Sequence, residues 1–327
     1  MIATSLDRWF ASHARVLPWR NQPEPYFVWL SEIMLQQTQV TAVLPYFKKF
    51  IEKFPRVELL AQASLDEVYS LWAGLGYYSR ARNLHKGAQA IEARMKRGLG
   101  FPETREEWLE IPGVGEYTAG AVCSIALNQR EAIVDGNVVR VLSRIFAIDK
   151  TDSKKTEIWD EARKIVAVKK VEPRAVNQAL MELGALVCKP KNPKCDECPV
   201  SKMCLGKDQP ERYPTPKAKK VWKHLHEEKW VLTYSNRVFL VQNKKSKWRE
   251  GLWDFPAPNS LPIEKAKLLR EEISRYVVTN HKIERKHFVL ALNSETAKRI
   301  ASQGHWFGDN ELPGVPAPVR KFLAKLR

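Results

Sequence analysis

Four of the five cysteines lie close together in the segment CKPKNPKCDECPVSKMC, as Cys188, Cys195, Cys198 and Cys204. Four thiolates at this spacing form a tetrahedral donor set that suits zinc or an iron–sulfur cluster. Disulfides are disfavoured in a reducing compartment, so metal binding is the predicted chemistry. The spacing alone leaves the identity of the metal open. The fifth cysteine, Cys123 in AGAVCSIAL, is predicted to be a packed core thiol.

Two carboxylates have contrasting surroundings that suit acid and anion chemistry. Asp135 in IVDGNVVRVLSR precedes a predicted buried helix face, and a carboxylate beside a helix start stays ionised. Glu32 in YFVWLSEIMLQQTQV lies on a predicted helix among apolar residues, which raise the pKa of a carboxyl so that it holds a proton near neutrality. Together they would form an acid and a stabilising anion. The alternatives are a simple N-cap for Asp135 and an ordinary surface position for Glu32.

The stretch LEIPGVGEYTAGAV interrupts two apolar segments with Pro112, Gly113 and Gly115. Glycines let backbone N–H groups approach an anion closely, and the following residues can start a helix whose N-terminus also favours phosphate. A helix, a glycine-rich turn and a second helix therefore predict a phosphate clamp that reads no base. An ordinary turn between helices is the alternative.

The composition predicts a polyanionic partner. The chain of 327 residues has 54 Lys and Arg against 37 Asp and Glu, which gives a net charge of +17. A positive surface attracts nucleic acid, and the stretch from Lys189 to Lys223 is a basic strip. The sequence contains neither a long apolar run nor a signal-peptide pattern, so we expect a cytoplasmic protein that does not enter a membrane.

The elements that must position these residues are predicted to be helices over roughly the first two hundred residues. Ser64 and Glu67 in SLDEVYSLWAGL form a capping box, and Pro45 is expected to mark a break or a new first turn. We divide the chain into a catalytic region at 1–212 that includes the cysteine loop 188–204, a Pro- and Lys-rich linker at 213–228, and a smaller α+β domain at 229–327.

Within the C-terminal domain, WVLTYSNRVFLVQ predicts a β-hairpin around Ser235 and Asn236, and KHFVLALN predicts another strand. We predict a helix over LPIEKAKLLREEISRY. A Nudix hydrolase needs a glutamate-rich helix that holds magnesium. This segment has only Glu271 and Glu272, without the further acidic pair and spaced glycines, so nucleotide hydrolysis is a poor interpretation.

Several motifs in order resemble the adenine DNA glycosylases of the MutY type. They are IPGVGEYTAGAV, IVDGNVVRVLSR, WLSEIMLQQTQV, LWAGLGYYSRARNL and the four-cysteine loop, and they cover nearly all of residues 1–205. That family belongs to the helix–hairpin–helix glycosylases, alongside endonuclease III. The resemblance implies a mainly α N-terminal part, with a six-helix barrel module and an iron–sulfur module. The stretch GLWDFP resembles part of the MutT-like (Nudix-like) C-terminal α+β domain of the same proteins.

The resemblance implies an enzyme that removes adenine mispaired with 8-oxoguanine or guanine in double-stranded DNA. Glu32 would protonate the departing adenine at N7, and Asp135 would stabilise or capture the sugar cation. Tyr117 occupies the position of the lysine that forms a Schiff base in bifunctional relatives, so base removal without strong strand cleavage is expected. Tyr117 would hydrogen-bond near Asp135, or simply pack beneath the hairpin. Asn137 would help to position water or the sugar.

The resemblance also implies contacts around the extruded base. Trp19, Arg20 and Gln178 match positions that line the adenine pocket, and Leu35, Gln37 and Tyr77 match positions that wedge into the duplex. The hairpin residues that would grip phosphate are Ile111, Gly113, Val114 and Gly115. The cysteines would hold a [4Fe–4S] cluster. The loop residues Lys189, Lys191 and Lys194 would face phosphate.

One stretch departs from the family pattern. The C-terminal domain of the family checks for 8-oxoguanine with a Phe-Ser-His loop before a strand. Here NHKIERKHFVL is the matching stretch, with Arg285 and Lys286 in place of Phe and Ser and with His287 retained. We expect an altered preference for 8-oxoguanine, with these residues near the lesion or its phosphate; solvated strand residues are the alternative.

Two other functions compete with this interpretation. One is a mismatch glycosylase of the same superfamily that acts on thymine or uracil opposite guanine. The other is a non-catalytic iron–sulfur protein that binds DNA. The retention of both Glu32 and Asp135 argues against mere binding, which needs neither. We expect a monomer.

Overall fold

The computed structural model describes residues 1–149, 155–215, 221–244, 248–263, 266–308 and 312–326. The chain forms two compact units. The first comprises Met1–Val43, Pro55–Ala61 and Lys86–Ala218, and the second comprises Leu44–Phe54, Gln62–His85 and Lys219–Arg327. The division therefore does not follow one cut in the chain.

The described residues before 216 are mainly helical, as the sequence predicts. The helices are α1 (Ile2–His13), α2 (Pro18–Asn21), α3 (Pro25–Leu35), α4 (Val40–Lys53), α5 (Val57–Gln62), α6 (Leu65–Trp72), α7 (Tyr78–Lys96), α8 (Arg105–Leu109), α9 (Glu116–Ala121), α10 (Gly136–Ile145), α11 (Lys155–Val166) and α12 (Pro173–Leu186). A π-helical turn, Val122–Ala126, continues α9, and short 3₁₀ turns lie at Cys195–Glu197, Ser201–Met203 and Pro210–Arg212.

Local signals set several helix boundaries. The capping box at the start of α6 is confirmed, because the Ser64 side chain accepts from the Glu67 backbone N–H and the Glu67 side chain accepts from the Ser64 backbone N–H. The break expected at Pro45 is wrong, since this residue lies inside α4. The chain breaks earlier, between α3 and α4, where Gln37 has a φ of 58°.

The core that positions the site is formed by α12 packed against α1 and α10. Leu6, Leu142, Leu180 and Leu183 are fully buried in this cluster. Gly184 permits the close approach of α12 to the start of α10, because a Cβ there would lie 2.6 Å from the Cβ of Asn137. The N-terminus of α10 is thereby held beside the C-terminal end of α12.

The second unit contains a sheet with the strand order β3-β2-β1-β5-β4, and β6 also pairs with β2. The strands are β1 (Lys223–Tyr234), β2 (Arg237–Gln242), β3 (Trp253–Asp254), β4 (Lys267–Val278), β5 (His281–Ala291) and β6 (His305–Phe307), and the helices are α13 (Ser294–Arg299) and α14 (Ala317–Leu326). A 3₁₀ turn lies at Ala301–Gln303. Strand β1 is parallel to β5, and the other pairs are antiparallel.

Two expectations for this unit are confirmed and two need correction. The hairpin at Ser235 and Asn236 and the strand over KHFVLALN are both present. The helix predicted over LPIEKAKLLREEISRY is wrong, because most of this segment is β4, paired with β5 along its length. Its charged residues have good helix propensity, but pairing in the sheet overrides that preference. Residues 223–228 of the predicted linker belong to β1, and residues 216–220 lie outside the described chain.

In the part of the chain that the structure describes, none of the helices has the length and apolarity needed to span a bilayer.

Candidate active site

A cavity of about 890 Å³ in the first unit brings together the residues predicted to be catalytic. Glu32, Tyr117, Asp135 and Asn137 all line it. They come from the end of α3, the start of α9 and the start of α10. Residues about a hundred positions apart in sequence therefore face one space large enough for an extruded base.

Glu32 lies in apolar surroundings. It is 4 % exposed, and Trp29, Leu30 and Ile33 beside it on α3 are buried. Burial raises the pKa of the Glu32 carboxyl to about 7, a hydrogen bond from Tyr117 opposes this, and the charge of Asp135 adds to it. The carboxyl therefore exchanges its proton near neutral pH.

Tyr117 supports Glu32 directly. Its phenol donates a hydrogen bond to Oε2 of Glu32 at 2.6 Å, and its oxygen lies 3.4 Å from Sδ of Met181. Burial raises the pKa of Tyr117 well above its ordinary value, so the phenol remains a donor. The hydrogen bond that we expected near Asp135 goes to Glu32 instead.

Asp135 caps α10 and lines the cavity at the same time. Its Oδ1 accepts from the Val138 backbone N–H at 2.7 Å, and its Oδ2 accepts from Nδ2 of Asn137 at 3.0 Å. Burial raises the pKa of Asp135, and these hydrogen bonds oppose that rise. The N-cap interpretation and the cavity interpretation are thus both satisfied by one geometry.

Asn137 connects Asp135 to the cysteine loop. Nη2 of Arg140 donates to Oδ1 of Asn137 at 2.8 Å, and Nε of Arg140 donates to the backbone oxygen of Cys188 at 2.8 Å. A continuous series of hydrogen bonds therefore joins the carboxylate to the first cysteine.

Trp19, Arg20 and Gln178 line the same cavity, and so does a buried carboxylate that sequence reasoning missed. Glu182 accepts from Nε of Arg15 at 2.6 Å and from Nη2 of Arg20 at 2.9 Å. Burial favours the neutral form, but these guanidinium groups outweigh it and hold the pKa of Glu182 at about 2. The available signal was spacing, because Glu182 lies four residues after Gln178 and so shares its face of α12.

The predicted wedge residues are divided between the two units. Leu35 is the last residue of α3, Gln37 follows that helix, and both line the cavity of the first unit. Tyr77 belongs to the second unit, where its side chain is 42 % exposed and its backbone has a φ of 50°.

The predicted phosphate clamp is a turn between α8 and α9. Gly113 has a φ of 82°, which favours glycine, and nothing lies within 4 Å of where a Cβ on Gly115 would be. The side chains of Ile111 and Val114 are buried. Only their main chain is therefore available to phosphate.

The four cysteines line one cavity together with apolar residues, including Val187 and Val200. Arg144 is 3 % exposed and holds the loop from inside. Its guanidinium donates to the backbone oxygens of Lys189 at 2.7 Å and Pro190 at 3.1 Å, and lies 3.3 Å from Sγ of Cys188.

The three lysines of the loop point toward solvent. Lys189, Lys191 and Lys194 are exposed, and Lys194 forms an ion pair with Glu197 at 2.9 Å.

Within the described ranges, three or more His, Cys, Asp or Glu side chains do not come together in an arrangement that could hold a metal ion.

The predicted lesion contacts do not suit Arg285 and His287. Both are 1 % exposed on β5, which pairs with β1 on one side and β4 on the other. Arg285 donates to Asp254 at 2.9 Å and to Glu227 at 2.8 Å, so its charge is neutralised inside the unit.

Successive side chains of β5 point to opposite faces of the sheet, so Lys286 points away from the face that Arg285 and His287 share. Its Nζ forms an ion pair with Oε2 of Glu271 at 2.7 Å. The turn that precedes β5 contains Thr279 and Asn280.

Comparisons with known proteins define the class. Residues 30–167 match the model of the HhH-GPD superfamily of base excision DNA repair proteins, and residues 188–204 match the iron-sulfur binding domain of endonuclease III. A solved thermostable thymine-DNA glycosylase superposes with a TM-score of 0.56 and 29 % identity over 63 % of this chain and 95 % of its own.

A non-covalent endonuclease III–DNA complex has a TM-score of 0.52 at 22 % identity, over 64 % of this chain and 95 % of that one, and supports the fold alone. The fold and its site therefore define a helix–hairpin–helix base excision repair protein with an iron–sulfur binding domain.

Curated relatives identify the family within this class. The adenine DNA glycosylase of Buchnera aphidicola subsp. Schizaphis graminum is 38 % identical over 96 % of this chain and 95 % of its own length. The human adenine DNA glycosylase is 44 % identical over 64 % of this chain and 40 % of its own. The chain belongs to the adenine DNA glycosylase family and is a DNA glycosylase of base excision repair.

Proposed function

We propose that this enzyme removes adenine mispaired with 8-oxoguanine or guanine in duplex DNA, and that it does so without strand cleavage. The observation that carries the proposal is that Glu32 and Asp135 line one cavity. Burial raises the pKa of Glu32 to about 7, so this carboxyl holds a proton near neutral pH. Burial also raises the pKa of Asp135, but the hydrogen bonds from Val138 and Asn137 oppose that rise and favour the anion. Cleavage of a glycosidic bond through an oxocarbenium-like state requires an acid for the departing base and an anion beside the sugar.

In the proposed mechanism the target adenine first leaves the base stack and enters the cavity. Glu32 donates its proton to N7 of adenine, which makes the base a better leaving group. The Asp135 carboxylate stabilises the positive charge that develops on the sugar, or captures the sugar covalently. Water then adds to the sugar carbon that has lost the base, which gives the abasic sugar and leaves Asp135 as the free carboxylate. Tyr117 keeps the Glu32 carboxyl oriented through its hydrogen bond. A phenol cannot form a Schiff base, which supports base removal alone.

The remaining cavity residues would select and hold the base. Trp19 provides an apolar wall, and Arg20 and Gln178 provide donors at the pocket. Glu182 fixes Arg20 by a hydrogen bond, so we assign it a positioning role. Leu35 and Gln37 would fill the space that the extruded base leaves in the duplex.

We infer that Cys188, Cys195, Cys198 and Cys204 hold a [4Fe–4S] cluster. All four line one apolar cavity, and the match of residues 188–204 to an iron-sulfur binding domain supports a cluster over one zinc ion. When bound, the cluster would make the loop rigid. The exposed lysines of the loop would then contact DNA phosphates, together with the main chain of the hairpin around Gly113 and Gly115.

A preference for 8-oxoguanine is proposed to come from the second unit, which we assign as a MutT-like domain that binds DNA in a single-chain enzyme. The turn at Thr279 and Asn280 is more accessible to DNA than Arg285 and His287, which are buried, and this supports the turn as the contact. We expect the preference to be altered, because the Phe and Ser of the family motif have no counterpart at 285–286.

The test is a panel of duplexes that each carry one mispair. The purified protein is incubated with A opposite 8-oxoguanine, A opposite guanine and T opposite guanine, and free base and alkali-labile sites are measured. We expect free adenine from the first two, faster from the 8-oxoguanine duplex, and strand breaks only after alkali. Equal rates for the two adenine duplexes would remove the lesion preference. Thymine release in place of adenine release would contradict the proposal.

A further inference from the structure

Strand β4 is the last strand of the sheet in the second unit. In the order β3-β2-β1-β5-β4 it pairs with β5 on one side, and none of the described strands pairs with it on the other. It is 12 residues long, which is about twice the usual length of a strand. An edge of this length presents a row of backbone N–H and C=O groups that another strand can bind.

The two faces of β4 differ in exposure. Its even-numbered residues point inward, where Oγ of Ser274 lies 2.9 Å from Nε2 of His287. The odd-numbered residues from 271 to 277 point to the opposite face and are all exposed. Two of them are large and apolar, with Ile273 56 % and Val277 57 % exposed. Apolar side chains therefore accompany the free edge.

The same exposed residues direct their backbone toward that edge. A two-residue turn joins β4 to β5 and closes on the pair Val278 and His281. Such a closing pair exchanges backbone hydrogen bonds, so the even-numbered residues of β4 bond to β5. The N–H and C=O groups of the odd-numbered residues from 271 to 277 therefore point away from β5 and face the free edge.

The sequence of this edge is complementary to a second copy of itself. When two β4 strands pair antiparallel about Ile273, each Glu271 comes opposite Arg275 of the other copy. Val277 comes opposite Leu269, which is also exposed. Moving the centre by one residue in either direction separates Glu271 from Arg275, so one register is favoured.

Ion pairs within each copy extend this complementarity. Glu271 pairs with Lys286 of β5 at 2.7 Å, and Arg275 pairs with Glu284 of β5 at 2.8 Å. Two paired copies would therefore place charges of alternating sign across four neighbouring strands. An edge with charges of one sign would repel a second copy, and β4 lacks that protection.

We propose that two copies of this chain associate through β4, in an antiparallel pair centred on Ile273 that joins two sheets into one. The same residues of both copies meet across a two-fold axis, so the contact is closed and stops at the dimer. A contact between two edge strands is smaller than a standard interface of about 1,600 Å². Association is therefore reversible, and the monomer expected from the sequence is the state in dilute solution. Each copy retains its own catalytic cavity, which lies in the first unit.

The test measures the mass of the full-length, iron-loaded protein by analytical ultracentrifugation without DNA, at about 1–200 μM, where weak contacts become populated. The wild type is compared with Ile273→Lys, with Glu271→Arg, with Arg275→Glu, and with an equal mixture of the two charge-reversed chains. The control is Leu99→Lys, because Leu99 is 54 % exposed and belongs to the first unit.

We expect the wild type to dimerise with a Kd of about 10–100 μM. Ile273→Lys should raise this Kd by at least about tenfold, because it places two like charges at the centre of the contact. Leu99→Lys should stay within about twofold of the wild type.

The mixture tests the register itself. Each charge-reversed chain alone places like charges opposite each other, so its Kd should rise by about tenfold. In a mixed dimer both cross-strand pairs again join opposite charges, so dimers should form with a Kd near that of the wild type. This comparison holds whatever the stability of the variants, because the same molecules are measured separately and together.

Three results would overturn the inference. The first is a wild-type chain that stays monomeric over the whole concentration range. The second is a mixture that dimerises no better than its separate components. The third is a Leu99→Lys chain that loses as much affinity as Ile273→Lys, which would place the contact elsewhere.

Discussion

The Glu32 carboxyl and the Tyr117 phenol share a 2.6 Å hydrogen bond within apolar surroundings. This pair determines when the proposed acid carries its proton. Burial places the pKa of Glu32 at about 7, so the protonated fraction is high below that pH and falls tenfold per unit above it. The chemistry of the site is therefore tied to neutral pH by the surroundings of one side chain.

The first prediction concerns the pH dependence of base release. Single-turnover rates of adenine release should be steady below pH 7 and decline above it. The Tyr117 hydrogen bond lowers the pKa of Glu32, so Tyr117→Phe should move the decline to higher pH. A decline that keeps its position in Tyr117→Phe, measured on the same duplex, would show that another group controls the profile.

The second prediction concerns stability. The pKa of Glu32 is higher in the folded protein than in the unfolded chain, where it is near 4.5. The contribution of this group to the free energy of unfolding is therefore fully present below pH 4.5 and is lost as the pH rises through about 7. Glu32→Gln should therefore stabilise the protein by about 1–3 kcal/mol at pH 8 and have little effect at pH 4. Urea unfolding at both pH values measures this. An equal effect at both would refute the linkage.

At the scale of the elements, the site depends on how α12 approaches the start of α10. A Cβ on Gly184 would lie 2.6 Å from the Cβ of Asn137 and 3.1 Å from its Cα. Neither atom belongs to the end of a flexible side chain, so relief requires a shift of α10 itself. Asp135 caps that helix and would shift with it.

The third prediction follows from this contact. Gly184→Ala should lower the rate of adenine release by at least about tenfold, because small displacements of a catalytic group have large effects on rate. The control is Gly136→Ala, where nothing lies within 4 Å of the added Cβ. Single-turnover kinetics and melting temperature are compared for both variants. A Gly184→Ala protein as fast as the control would show that the close approach is not needed.

Sequence patterns predicted secondary structure well where local interactions determine it, and poorly where pairing between distant strands determines it. The capping box at Ser64 and the hairpin at Ser235 use short-range hydrogen bonds and turn geometry, which a sequence displays directly. Strand β4 contains Lys, Arg and Glu residues that also suit a helix, and only pairing with β5 settles its structure.

The site shows the same limit. Glu32, Asp135 and the cysteines stand in distinctive local contexts in the sequence. In the structure the two carboxylates line one cavity and the four cysteines line another. Glu182 escaped notice because its partners, Arg15 and Arg20, are far away in sequence. Arg285 was misread as a lesion contact because a basic residue in a sequence gives no sign that Asp254 lies buried beside it.

At the scale of the whole molecule, the positive charge implies strong salt dependence of DNA binding. The net charge of +17 attracts the duplex over a distance set by ionic strength, whereas the cavity acts only on an extruded base. DNA binding and base release should therefore respond to different substitutions. Substitutions among exposed lysines should alter affinity, and substitutions inside the cavity should alter the rate of base release once DNA is bound.

The most direct test of the account asks whether Glu32 and Asp135 act on the same adenine nucleoside. Single-turnover release of adenine from a duplex with A opposite 8-oxoguanine is measured for the wild type, Glu32→Gln, Asp135→Asn and the double variant, at saturating protein. We predict that each single variant is slower by about 10³-fold or more, and that the double variant is no slower than the worse single one, as for groups that act as a unit. Either single variant retaining the wild-type rate would contradict the account.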